Sequence, residues 1–222
     1  QLHHGEQRLR GREIDDGEAE LLGRDPGAWF LHTRRVSWTE DGRFAEQVDS
    51  LRPYLPAGHE PADYAILDVG SGLGGVDILL QRECPGARVT LLDGVEDPPH
   101  MHLHRETFNS MAVAWRWWQV NGGRPFSYVD AATMRQTLFP GPDLGEARLF
   151  NLVVSFGSWC FHYPPALYLN WLLPRLAPKA LVCLEVRGSK PEWRRELARA
   201  FGVAPLMIHG SLKFSRLLYR LP

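Results

Sequence analysis

The stretch YAILDVGSGLGGVDILLQREC, residues 64–84, decides how the rest of the chain is read. Its opening, Tyr64 to Gly70, is a short apolar run ended by glycine, the pattern of a buried strand. Its close, Val76 to Cys84, has helical character. Between them Gly70, Gly72, Gly74 and Gly75 make a turn where the backbone bends tightly and a ligand can approach without a Cβ in the way. Strand, glycine turn and helix in that order open a doubly wound α/β sheet, whose ligands bind at the carboxyl edge of the strands.

The alternation continues downstream. RVTLLDG (88–94) predicts a second strand, and a long helix runs from about His100 to Val120, stopped by Asn121-Gly122-Gly123. FSYVDA (126–131) and LFNLVVSFG (149–157) predict the third and fourth strands. PPALYLNWLLPRL (164–176) reads as a helix with prolines in its first turn. ALVCLEVRG (180–188) is another buried strand, and Ser189 to Glu192 matches a capping box that opens a helix to about Phe201. APLMIHG and LKFSRLLYRL close the chain as two strands joined around Gly210-Ser211. The expected fold is therefore a Rossmann-like doubly wound α/β sheet flanked by helices, mostly parallel, with an antiparallel last strand.

Upstream, residues 1 to about 27 are charged, with little apolar periodicity, and read as a loose arm. Phe44, Val48 and Leu51 recur at helical spacing, with Thr39 as a cap and Pro53 as a stop. The expected division is an N-terminal extension or lid over residues 1–61 and a main domain over 62–222.

Composition narrows the function. Of 222 residues, 44% are hydrophobic and 23% charged, which suits a globular chain with a proper core. With 25 basic and 26 acidic residues the net charge is -1, so no global basic field argues for nucleic acid. Three cysteines, Cys84, Cys160 and Cys183, make neither a CxxC pair nor an even set, which favours a reducing, cytoplasmic setting. No stretch is apolar for long enough to span a bilayer, and the polar start is no secretory signal.

Taken alone, the glycines are ambiguous. Gly70, Gly72 and Gly75 satisfy the dinucleotide pattern GxGxxG, while Gly70, Gly72 and Gly74 satisfy GxGxG. Asp68, two residues before the first glycine, reads as an anion directed into the crevice, which suits a cationic ligand better than a pyrophosphate. Asp93, ending the second strand about twenty residues on, can accept both hydroxyls of a ribose. That feature serves nicotinamide enzymes and other nucleoside binders alike.

Asp68-x-Gly70-x-Gly72-x-Gly74 resembles the first motif of the class I S-adenosylmethionine-dependent methyltransferases. The resemblance covers about residues 62–222 and implies that S-adenosyl-L-methionine is the cofactor and S-adenosyl-L-homocysteine the product. It implies further that Asp68, Gly70, Ser71, Gly72 and Gly74 cradle the amino-acid part and ribose. Asp93 and Gly94 would follow at the second strand, Asp130 and Ala131 at the adenine, and Ser155 at the end of the fourth strand. Pro178-Lys179-Ala180 stands where the family usually has Pro-Gly-Gly. FNLVVSFGSWCFHYPP resembles the fourth motif, with Asn151 where an aspartate is frequent.

Methyl transfer is an in-line displacement, so a protein must hold nucleophile and methyl in line and exclude water. For a hydroxyl acceptor a base helps, and His162 suits that task. Trp159 and Tyr163 would line the acceptor pocket. The plainer reading is that His162 caps a helix or satisfies backbone groups.

His100, His102 and His104 do not imply a metal, because i and i+2 positions do not share a helix face. Trp115, Trp117 and Trp118 read as packing, and Arg194, Arg195 and Arg199 as a solvated face. Arg34 and Arg35 could cover the cofactor's carboxylate. A small-molecule acceptor is preferred; RNA or protein is the alternative, although neither the [N/D]PP[Y/F] motif nor the Pro-Cys of DNA enzymes is present. An NAD-dependent oxidoreductase and a non-catalytic nucleotide-binding domain are further alternatives.

Overall fold

The computed structural model describes residues 43–56, 63–93, 114–115, 118–119, 121–131, 133–134, 136–139 and 149–222. Thr39, Arg34, Arg35, Gly94, Trp117 and the three histidines at 100, 102 and 104 lie outside the described residues.

Eight strands form one sheet: β1 (Ala65–Val69), β2 (Arg88–Asp93), β3 (Phe126–Asp130), β4 (Gln136–Phe139), β5 (Phe150–Ser155), β6 (Leu176–Arg187), β7 (Leu206–Gly210) and β8 (Phe214–Arg220). Their order is β4-β3-β2-β1-β5-β6-β8-β7. Strands β3, β2, β1, β5 and β6 run parallel, and β8 is antiparallel to both β6 and β7. The doubly wound sheet with an antiparallel last strand is thus as expected. One strand is additional. The four residues of β4 pair antiparallel with β3, in a segment too short for its pattern to signal a strand.

All five residues of β1 are buried, because a central parallel strand is covered on both faces and loses its alternation. The chain winds outward through β2 and β3 on one side and through β5 and β6 on the other. Strand order therefore reverses between β1 and β5, the place where doubly wound sheets bind ligands at the carboxyl edge.

The described helices are α1 (Arg43–Leu51), α2 (Gly75–Glu83), α3 (Ala166–Leu172) and α4 (Pro191–Phe201). The residues described at 114–115 and 118–119 are helical, and Gly122 at φ +73 follows with the Gly123 N–H on Trp118 O at 2.8 Å. That end matches the glycine stop read from sequence. The capping box at Ser189 is not formed. Lys190 occupies the N-cap without a side-chain hydrogen bond, and Pro191, whose missing N–H costs nothing at N1, starts α4.

Gly42–Pro222 forms one compact unit that includes α1. Val48 and Leu51 are buried, and Phe44 packs where a Cβ on Gly75 would sit. Arg216 of β8 is 1% exposed. It donates to Glu185 of β6 at 2.6 Å and to Glu46 of α1 at 2.8 Å, so an ion-paired latch holds α1 to the sheet. No described helix is long and apolar enough to cross a membrane.

Candidate functional site

The glycine turn is held in place by backbone hydrogen bonds. Gly70 N–H donates to Leu92 O at 2.7 Å and Gly74 N–H to Ser71 O at 2.9 Å. Gly70, Gly72 and Gly74 have φ of +75, +56 and +67, conformations that only glycine adopts cheaply. Two of them also admit close neighbours. A Cβ on Gly70 would fall 1.7 Å from Ser158 Oγ, and one on Gly74 would fall 2.7 Å from Trp118 Nε1. Trp118 Nε1–H donates to Leu73 O at 2.9 Å, so the indole clamps the turn from the adjoining helical segment.

Asp93 stands at the tip of β2. Gly72 N–H donates to its Oδ2 at 2.6 Å, while its own carbonyl accepts from Tyr128 Oη at 2.7 Å and from Ala131 N–H at 2.9 Å. The carboxylate is therefore oriented by the turn, and its backbone by β3. Asp130 pairs in register with Asp93. Its Oδ2 accepts from Thr133 Oγ1 at 2.9 Å and its carbonyl from Met134 N–H at 2.6 Å, so it also caps the turn that follows β3.

The sequence reads Asp68 as an anion directed into the crevice; the structure buries it. It is 3% exposed. Burial, then the neighbouring carboxyls of Asp77 and Asp93, push it well above the ordinary carboxylate range. Asp77, in the first turn of α2, is 0% exposed and is raised to about 7 by burial, a hydrogen bond with Asp68 pulling the other way. Two adjoining buried carboxyls cannot both ionise cheaply, which favours the protonated form. Ser71 Oγ is buried with no hydrogen-bond partner. Buried polar atoms of this kind call for a partner. An unpartnered hydroxyl beside a left-handed glycine cradle fits a ligand with a polar amino-acid tail and a ribose.

Ser155 and Trp159 have different parts from those expected. Ser155 Oγ donates to Val69 O at 2.6 Å and accepts from Trp159 N–H at 3.0 Å, bracing the carboxyl ends of β1 and β5. Trp159 is fully buried, with Nε1–H on Pro165 O at 3.2 Å and its ring against Tyr168; it is core, not pocket lining. Asn151 is also a brace, accepting from Ala65 N–H at 2.9 Å.

The loop after β5 does bring His162 and Tyr163 to the surface. Tyr163 is 45% exposed and His162 is exposed. His162 N–H donates to Ser158 O at 2.8 Å. Its ring centroid lies 4.9 Å from Phe161 and 6.5 Å from Tyr163. Ser158 touches Gly70, so this loop abuts the glycine turn. Tyr168 of α3 belongs to the same neighbourhood, its hydroxyl raised to about 12 by burial, then by Asp93 and Tyr163.

Sequence reasoning did not single out Asp77, Ser158 or Tyr168. Asp77 had a signal, an acid inside the apolar run VDILL. Ser158 and Tyr168 had none, because only the fold brings them to the turn. Among the described residues no three or more His, Cys, Asp or Glu side chains gather as metal ligands.

No family model matches the chain, and no curated protein matches it. Solved structures do. A magnesium protoporphyrin IX methyltransferase from Synechocystis, solved with S-adenosylmethionine bound, is 17% identical, covering 78% of this chain and 76% of that one, with a TM-score of 0.51. The precorrin-6y C5,15-methyltransferase of Geobacter metallireducens is 14% identical over 81% of this chain and 87% of that one, at 0.51. The 1,6-didemethyltoxoflavin N1-methyltransferase of Burkholderia thailandensis, solved with its substrate and S-adenosylhomocysteine, is 20% identical over 95% and 92%, also at 0.51. The chain has the class I methyltransferase fold.

Proposed function

We propose that this chain, with the fold of the class I S-adenosylmethionine-dependent methyltransferases, is such an enzyme and methylates an oxygen of a small molecule, a sugar, natural product or metabolite. The observation that carries the reading is the Gly72 N–H bond to Asp93 Oδ2 at 2.6 Å. It sets a carboxylate beside the glycine cradle near the point where strand order reverses, which supports a ribose-accepting part for Asp93.

In this reading the cradle from Gly70 to Gly74 takes the amino-acid tail, with Ser71 Oγ and the Asp68–Asp77 pair as its polar wall. Asp93 accepts from the ribose hydroxyls, and Asp130 and Ala131 border the adenine. Bound there, S-adenosylmethionine supplies an electrophilic methyl on a sulfonium, which leaves as a neutral thioether. His162 takes the proton of the acceptor hydroxyl as the new carbon–oxygen bond forms, and Tyr163 shields the reacting centre from water. Three buried free cysteines, Cys84, Cys160 and Cys183, support a reducing, cytoplasmic setting.

The test is release of S-adenosylhomocysteine from S-adenosylmethionine in the presence of separate pools of small hydroxyl compounds, RNA and protein. Product with the small-molecule pool supports the reading; product only with RNA or protein overturns its acceptor half. His162→Ala should fold and bind cofactor yet lose roughly 10²-fold or more in turnover. Full turnover would return His162 to a structural part.

A further inference from the structure

We propose that the acceptor is a planar aromatic acid, its oxyanion bound by Arg187 and its ring by Phe161 and Phe214. This rests on the methyltransferase reading and names the acceptor class for the same site.

Arg187 ends β6 at the carboxyl edge of the sheet. Its N–H donates to Cys160 O at 3.0 Å, stitching the end of β6 to the loop that carries His162. Phe214 is its register partner on β8. From these anchors a row of rings runs along the rim. His162 and Phe161 lie 4.9 Å apart, Phe161 and Phe214 6.3 Å, and Phe214 and His209 5.5 Å, the last pair stacked at 20°. Phe161, Phe214 and His209 are half-buried and His162 is exposed, so ring surface is available at the edge rather than sealed in the core.

The cation is the second observation. The Arg187 guanidinium lies over Phe161 at 5.5 Å. Arg187 is exposed, and among the described residues no carboxylate is paired with it. Its neighbour Arg216 differs: its charge is already held by Glu185 and Glu46. Lys190 has Glu192 at 3.8 Å. A guanidinium lying on a ring keeps its N–H edge directed outward, the geometry that binds a carboxylate or phosphate by two parallel hydrogen bonds. The adjacent rings add stacking for a planar ligand. Phe161 adjoins both Arg187, at 5.5 Å, and His162, at 4.9 Å, so an aromatic acid lying against that ring has both groups as neighbours. A neutral sugar uses neither feature, and a nucleic acid needs a longer basic track than a chain of net charge -1 advertises.

The test is binding to the full chain saturated with S-adenosylhomocysteine, by calorimetry. The probes are para-hydroxybenzoate, meta-hydroxybenzoate and para-hydroxycinnamate, each beside its neutral amide, and a single-stranded RNA oligonucleotide. The acids should bind about tenfold or more tightly than their amides. Arg187→Gln should erase that preference and Arg187→Lys keep part of it, while S-adenosylhomocysteine affinity and melting temperature stay as in the unaltered chain. Acids and amides binding alike, a preference that survives Arg187→Gln, no binding by any acid, or tightest binding by the RNA would each overturn the proposal. Loss of S-adenosylhomocysteine binding itself would instead strike the methyltransferase reading.

Discussion

Asp68 of the central strand β1 and Asp77 of the first turn of α2 lie side by side in the interior, where burial disfavours the charge of both carboxyls. Both are raised by burial, so the folded state binds protons more tightly than the unfolded chain does. Their contribution to stability is full below the ordinary aspartate range and is lost as pH rises, for Asp77 through about 7. The melting temperature should therefore fall between pH 5 and pH 8, on the order of a unit titration of one buried carboxyl. Asp77→Asn, which keeps the shape and removes one titration, should melt at a higher temperature at pH 8, by roughly 3–6 °C, and flatten the profile. Parallel melting curves for the two proteins would count against a raised Asp77 carboxyl.

Close packing at Gly74 makes a second prediction. Alanine there would set its Cβ 2.7 Å from Trp118 Nε1 in a backbone conformation of φ +67. Overpacking and left-handed strain together should cost about 2–4 kcal/mol in urea unfolding. A loss below about 0.5 kcal/mol would mean the indole does not clamp the turn as described.

The latch on α1 separates buried from exposed charge. Removing Arg216 leaves Glu185 buried without its partner, so Arg216→Leu should cost about 3–5 kcal/mol, and the double change Arg216→Leu with Glu185→Leu should recover much of it. Glu46 is 49% exposed. Glu46→Gln should cost no more than about 1 kcal/mol. Denaturation of the three variants checks the ranking; an equal loss for Glu46→Gln and Arg216→Leu would refute it.

Lys179 holds a left-handed conformation at φ +61, inside the span of β6, at the place where the resembling family usually has Pro-Gly-Gly. Its N–H donates to Pro222 O at 3.0 Å. Lys179→Gly keeps that bond and relieves the strain, and should stabilise the fold by about 0.5–1 kcal/mol. Destabilisation on chemical unfolding would show that the lysine side chain matters more than its backbone.

Much of this arrangement was legible in the sequence. The alternation of apolar runs with helical segments gave the sheet, and the acids at strand tips placed Asp93 and Asp130 in register. What escaped had physical causes. In β1 both faces are covered, so nothing in AILDV tells which way Asp68 points or that it meets another acid. The aromatic stretch after β5 looked like pocket lining throughout, but Trp159 turns inward to Pro165 while His162 and Tyr163 turn out. Lys190 and Pro191 pre-empted the capping box at Ser189, since proline at N1 is enough to start a helix. Four residues of β4 could not signal their own pairing.

Cofactor affinity is the decisive property of the glycine turn and Asp93. Calorimetric titration of the purified chain should show binding of S-adenosylmethionine and S-adenosylhomocysteine and none of NAD. Asp93→Ala should weaken both by about 1.5–3 kcal/mol, the worth of a charged hydrogen bond. Uptake of NAD with no affinity for either sulfur nucleoside would contradict the methyltransferase reading.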